Sequence, residues 1–256
     1  MVGFIDFLAH GSGVSNWEFI LLCTISFLGS LITASVGLGG GMLTLATMAL
    51  LMPPAVLIPV HGVVQLGSNF GRALLLYKDI IRTIIPTFLM GTIIGAIVGG
   101  QVMVALPVEI LQIILSAFIL YTVWVPALKA HAFKKFTFAG IGAIGAFTTM
   151  FVGATGPLIA PFVIAISNGR KQIVGTHASL MTIHHSFKLI VFGLIGFSFA
   201  PYIPIIISLI IFGFAGTYIG KLALNRLPEH IFRGGLKSVL TVMALKLFYD
   251  AFSSWL

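Results

Sequence analysis

Long, largely apolar runs constrain this chain more than any other feature. Only 8% of its 256 residues are charged, whereas a soluble domain carries about 25% charged residues. A segment that crosses a bilayer needs roughly 20 apolar residues, and several runs reach that length. The sequence therefore predicts an all-α polytopic membrane protein in a cell membrane, surrounded by lipid. The runs cover residues 19–36, 54–71, 83–106, 108–128, 137–167 and 189–220.

The chain also repeats itself. A shift of 116 residues places "VGLGGG" at 36–41 on "VGATGP" at 152–157, and it places His61 on His177. A shift of 121 residues places "IGAIVGG" at 94–100 on "AGTYIGK" at 215–221. Because these matches follow one another in order, we interpret the chain as two repeats, 1–128 and 129–256.

Each repeat contains five predicted hydrophobic segments, of which four are long helices and one is short. The short segment, 40–52 in the first repeat, corresponds to about 20 Å of helix at about 1.5 Å per residue. Because this is too short to cross a membrane, it is a candidate re-entrant segment. The segments predicted for the first repeat are 17–36, 40–52, 55–77, 82–103 and 107–126.

The basic residues predict the orientation of the repeats. Lys and Arg are absent before Arg72 and then occur in or beside alternate loops, including Lys78, Arg82 and the 129–135 linker. The positive-inside rule makes these loops cytoplasmic and both termini external. This distribution also explains the net charge of +8 without a nucleic-acid partner. If the first two segments of each repeat return to the side they started from, each repeat makes an odd number of net crossings. We therefore expect inverted repeats with a site between them near the bilayer midplane.

Two helices carry matching polar stripes. His61, Gln65, Ser68 and Arg72 are spaced i, i+4, i+7 and i+11, which places them within an arc of about 60° on one helix. The equivalent positions of the second repeat lie in 176–193 and carry two histidines and a lysine. Polar groups in a bilayer usually face the helix bundle and mark a pathway. The alternatives are that these residues pair with backbone carbonyls, or that Arg72 and Lys188 extend toward the nearer membrane surface.

The glycine-rich clusters "GLGGG" and "GATGP" each end one segment and open a short one. A helix N-terminus presents free N–H groups and partial positive charge, which favour an anion. Glycines 91, 95, 99, 216 and 220 are instead expected to allow close helix packing. The six acidic residues all fall at predicted helix ends or loops, so the membrane core offers basic and amide groups but no carboxylate. This composition is typical of an anion site.

Two Gly-rich turns, "GLGGGMLTLATM" and "GATGPLIAPF", followed by "HGVVQLGSNFGR" and "GTHASLMTIHHSFK", resemble the TauE/SafE sulfite exporter family over nearly the whole chain. The resemblance implies transport of sulfite, sulfonates or related small organic anions. We expect export across a bacterial inner or plasma membrane, without enzymatic activity or a cofactor. The candidate substrate-binding residues, in the turns and polar helices, are Gly37, Gly39, Gly40, Gly41, His61, Gln65, Ser68, Asn69, Arg72, Gly153, Thr155, Gly156, His177, His184, His185 and Lys188.

A secondary transporter is the favoured function, with a histidine as the carrier of a coupled proton, because the unperturbed imidazole pKa is about 6.5. A homo-oligomer is compatible with this function. The sequence leaves two alternatives, an anion channel and a membrane protein that binds haem or metal through its histidines. The second has no acidic partner for its histidines and no metal-binding spacing such as HExxH. No GxxxxGK[ST] motif indicates ATP-driven pumping by this chain.

Overall fold

The computed structural model of the protein describes residues 2–9, 11–36, 39–104, 106–125, 136–222 and 229–253. Within these ranges all regular structure is helical, with eleven α-helices and three short 3-10 turns. The α-helices are α1 Val2–Ala9, α2 Asn16–Val36, α3 Gly40–Ala49, α4 Pro54–Leu75, α5 Ile85–Val104, α6 Val108–Trp124, α7 Thr137–Val152, α8 Gly156–Ile166, α9 Arg170–Leu194, α10 Ile203–Leu222 and α11 Glu229–Ser253.

The predicted segments correspond closely to these helices. Helices α2 to α6 begin and end within three residues of the five segments predicted for the first repeat. Helices α7 to α11 supply the same succession in the second repeat. Helix α6, with 17 residues or about 25 Å, is three residues shorter than the predicted segment 107–126, and α7 has 16 residues. The predicted boundary between 1–128 and 129–256 lies outside the described residues.

The described helices have the composition and surface of a membrane protein. Three of them are long and apolar enough to cross a bilayer, over Asn16–Ser35, Arg82–Met103 and Ala200–Leu222. Large apolar side chains also point outward, among them Ile94 at 63% and Ile211 at 61% exposed. Water would not tolerate so much contiguous apolar surface, whereas lipid covers it without penalty.

The most extensive helix contacts join the two repeats. Helix α5 packs against α7, α2 against α10, α4 against α9 and α6 against α11. In each pair one helix lies before the linker and the other after it. In the predicted repeats α2 is equivalent to α7, and α5 is equivalent to α10. The pair of α5 and α7 therefore corresponds to the pair of α10 and α2. The repeats therefore build one shared helical core.

Glycines allow two of these pairs to approach at backbone distance. A Cβ at Gly91 would overlap the carbonyl of Ala139 on α7, and one at Gly216 would overlap the carbonyl of Phe27 on α2. A Cβ at Gly95, Gly99 or Gly220 would also come within 3.0 Å of backbone atoms of the facing helix. The predicted packing role of these glycines is confirmed.

Candidate functional site

The polar stripes of α4 and α9 face each other inside the bundle. On α4, His61, Gln65, Ser68 and Arg72 are each at most 7% exposed. The prediction that the stripes face the interior is confirmed, because the two helices pack together and the stripes meet at their contact. The buried polar residues of the equivalent stripe on α9 are His177, His184, His185 and Lys188, each at most 6% exposed.

A cavity of about 40 Å³ lies where α2, α3, α4, α8 and α9 meet. Since one water molecule needs roughly 10–15 Å³ of such space, the cavity has room for about three waters or one small oxyanion. Its wall combines hydrogen-bond donors on α4 and α9 with small and apolar residues on the other helices. The lining residues are Thr33, Gly39, Gly41, Met42, Gln65, Asn69, Arg72, Ala154, Gly156, Pro157, His177, Met181 and His185.

Arg72 supplies the positive charge of this wall. Its Nη1 donates to Ser68 Oγ at 3.1 Å, and its Nη2 donates to Asn69 Oδ1 at 2.9 Å. Ser68 Oγ also lies 2.9 Å from Ser30 Oγ on α2. Among the described residues Arg72 has no carboxylate partner, and at 4% exposure it does not extend to the membrane surface. A guanidinium has five N–H donors, so donors remain for a ligand.

Both short helices begin at the glycine-rich turns, as predicted. Helix α3 starts at Gly40 after Gly39, whose φ of 102° is in the left-handed region that favours glycine. Helix α8 starts at Gly156, shortly after Gly153 with φ 74°. Gly39, Gly41 and Gly156 line the cavity, so the positive ends of both helices lie at its wall. Gly37, also predicted to bind substrate, lies outside the described residues.

Three histidines hold backbone carbonyls in place around the cavity. His61 Nε2 donates to Gly41 O at 3.2 Å, and its repeat equivalent His177 donates through Nε2 to Gly156 O at 3.0 Å. His184 Nε2 donates to Gly142 O at 3.2 Å and its ring stacks on Phe88. Since a carbonyl only accepts, each of these Nε2 atoms carries a proton. The histidines thereby tie α4 to the start of α3, and α9 to α7 and α8.

Lys188 lies behind the cavity wall. It is fully buried, and its Nζ donates to the carbonyl of Gly153 at 2.7 Å. Gly153 ends α7, so the ammonium neutralises the negative end of that helix. The candidate residues that the structure places close to the cavity but outside its lining are Gly40, His61, Ser68, Gly153, Thr155, His184 and Lys188. For these residues a direct role in substrate binding stays a prediction.

The cavity also contains residues that the sequence analysis did not single out. Thr33 follows Ser26 and Ser30 at helical spacing along α2, a polar pattern that could have revealed it. Met42 and Met181 have no such signal, because methionine is common in apolar helices. Met181 occupies the repeat position of Gln65, so the cavity has a more polar wall on α4 than on α9.

The described residues contain no group of three or more His, Cys, Asp or Glu side chains placed to hold a metal ion. The carboxylates with described side chains are Asp6, Glu18, Asp79, Glu109 and Asp250, and none of them is buried. The haem or metal alternative therefore finds no three-residue ligand set in the part of the chain described.

Fold and site together define a helical membrane protein with a buried basic cavity where α2, α3, α4, α8 and α9 meet. The family model of the sulfite exporter TauE/SafE matches residues 22–247, nearly the whole chain. The protein belongs to this family of membrane transporters, and the resemblance found in its sequence is confirmed. Neither the curated proteins nor the solved structures contain a match to the chain.

Proposed function

We propose that the protein is a secondary transporter that exports sulfite or a comparably small sulfur-containing anion across a bacterial inner membrane. In this proposal the anion binds in the cavity beside Arg72 and is carried together with a proton on a histidine. The family supports the general class, a sulfur-anion exporter. The specific substrate, the coupling and the binding residues are inferred from the cavity.

The observation that carries the proposal is a buried guanidinium that faces a cavity and has no carboxylate partner among the described side chains. Removing an isolated charge from water costs several kcal/mol, so buried charges are normally paired. Ser68 and Asn69 accept two of the hydrogen bonds of Arg72 but bring no negative charge. A bound anion would supply that charge and accept the remaining donors.

The size of the cavity favours a small substrate. At about 40 Å³ it suits an anion of four or five heavy atoms, such as sulfite or methanesulfonate, in the absence of rearrangement. A bulkier sulfonate would require the helices to separate. We therefore expect affinity to fall as the organic group of a sulfonate grows.

The arrangement of the repeats supports a transporter rather than a channel. Each of the most extensive helix pairs joins one helix of the first repeat to one helix of the second. Helices from both repeats also form the cavity. The short helices α3 and α8 direct their N-termini toward it, as the broken helices of alternating-access transporters do. If the repeats are inverted, movement of one against the other would expose the cavity to each side in turn.

Counterflow in proteoliposomes tests this function. Vesicles that contain purified protein and unlabelled sulfite are diluted into [35S]sulfite, and we expect transient accumulation of label above its external concentration. Methanesulfonate should compete, and benzenesulfonate should compete much less. Vesicles without protein are the control. Equilibration without accumulation would support the channel alternative, and no protein-dependent flux would refute the proposal.

A further inference from the structure

His185 differs from the other three membrane histidines in its bonding. His61, His177 and His184 each donate Nε2–H to a backbone carbonyl. His185 forms no hydrogen bond with any described residue, and its Nδ1 is buried without a partner. Buried polar atoms are nearly always hydrogen-bonded, so an exception requires an explanation. The missing partner is consistent with a group that acts only when a ligand or proton is present.

The location of His185 makes it accessible to a bound anion. Its side chain lines the cavity and is 3% exposed. Its repeat equivalent is Asn69, which binds Arg72 on the opposite wall. The ring of His61 lies edge-on to that of His185, with 6.4 Å between centroids, but His61 does not line the cavity. His61 Nδ1 also lacks a partner, but of the residues that the structure describes only His185 combines this with a place on the wall.

The surroundings of His185 are basic. The charged and titratable groups that act on it are Lys188 and His184 of its own helix and His61 and Arg72 of α4. Helices α3, α5, α7 and α8 contain no ionisable side chain, and the part of α2 that reaches the cavity, around Thr33, contains none either. The turn with Lys78 and Asp79 contacts α9 near Thr176, about 13 Å along the helix from His185. The described side chains around His185 therefore include no negative charge that could balance a proton on its ring.

Building on the proposed anion site, we propose that His185 takes up a proton as the anion binds and releases it as the anion leaves. A free ring nitrogen accepts the proton from water, and the resulting imidazolium donates a hydrogen bond to an anion oxygen. When the anion departs, the proton returns to water and the ring is neutral again. Because coupling between two ligands is reciprocal, the proton strengthens anion binding as much as the anion strengthens protonation.

Calorimetry measures this coupling directly. Sulfite is titrated into purified full-length protein at one pH in two buffers of different ionisation enthalpy, which yields the number of protons taken up per anion. We expect the wild type to take up about one proton more than His185→Gln, since one imidazole binds one proton. Protonation of sulfite itself contributes equally to both measurements and cancels in the difference.

His177→Gln is the matched control, because it removes another histidine from the same wall and should keep the wild-type proton number. His185→Asn, which introduces the residue found at the equivalent position 69, should repeat the result of His185→Gln and serves if that variant does not fold. An unchanged proton number in the His185 variants, or its loss in His177→Gln instead, would overturn the assignment. Failure of the wild type to bind sulfite would overturn the proposed anion site itself.

Discussion

Arg72 and Lys188 occupy the same position in the two repeats, yet they bind different partners. Arg72 lines the cavity and donates to side chains of its own helix. Lys188 donates instead to the carbonyl of Gly153, at the end of α7. Both basic groups are buried at matching positions, but their partners differ. Arg72 lies at the cavity, and Lys188 contacts the turn that precedes α8.

The equivalent glycines of the two glycine-rich turns also have different neighbours. Gly40 and Gly156 are repeat equivalents, and each begins a short helix. A Cβ on Gly40 would overlap the backbone carbonyl of Gly29 on α2, whereas a Cβ on Gly156 would meet the His177 ring at 3.2 Å. In the first repeat the close packing of α3 against α2 requires a glycine at position 40. In the second repeat the glycine lies beside the cavity wall.

Of the variants considered, substitutions of these two glycines should show the largest difference between the repeats, measured as a change in protein stability. We expect Gly40→Ala to destabilise the protein by at least about 3 kcal/mol, because two backbones cannot separate without disturbing the core. Gly156→Ala should change stability by less than about 1 kcal/mol, since the higher helix propensity of alanine offsets a mild contact. Thermal unfolding and size-exclusion profiles in detergent measure both effects. Equal stability of the two variants would contradict the difference described.

The sequence predicted the helical segments, the short helices and the buried stripes because each depends on local pattern. Glycine-rich clusters interrupt helices wherever they occur, and a polar stripe at helical spacing in an apolar chain must face the bundle interior. The 116-residue repeat then identified which residues are equivalent. These inferences need no knowledge of how the helices pack.

The composition of the cavity wall depends on packing and could not be predicted in full. Lys188 reaches Gly153 only because the end of α7 lies beside α9. Met42 and Met181 line the cavity because of where α3 and α9 lie in the bundle. Both residues are apolar, so the sequence did not mark them as site residues. Sequence equivalence also suggested equal roles for the two basic residues, whereas the contacts made by their side chains differ.

Removing the two basic residues should separate their roles in binding. We expect Arg72→Met to weaken sulfite binding about 30-fold or more, because truncating one partner of a buried charge contact costs about 2–5 kcal/mol. Lys188→Met should weaken it by less than about tenfold, since its ammonium is committed to Gly153 and acts on the anion only at longer range. Calorimetric titration with sulfite measures both affinities.

Two further variants sharpen this comparison. Arg72→Lys keeps the charge but loses the planar array of donors, so its affinity should lie between those of the wild type and Arg72→Met. Lys246→Met removes a basic residue that forms an exposed ion pair with Asp250 on α11, and it should bind sulfite normally. A larger loss in Lys188→Met than in Arg72→Met would reverse the roles assigned to the two repeats.

The smallest expected effect concerns Gln65 and Met181, the equivalent positions at which the two walls differ in polarity. Gln65→Met should weaken sulfite binding about fivefold, because one hydrogen bond contributes about 0.5–1.5 kcal/mol net. Met181→Gln should change affinity by less than about threefold, since the new amide lies across the cavity from the Arg72 network and gains at most a weak contact. The double variant exchanges the two side chains and tests whether the walls are interchangeable. Because Arg72 and Asn69 stay on the α4 wall and orient the anion there, we expect the exchanged amide to recover little of the lost affinity. Recovery of wild-type affinity in the double variant would show that the anion contacts both walls alike and that the polarity difference between them is irrelevant to binding.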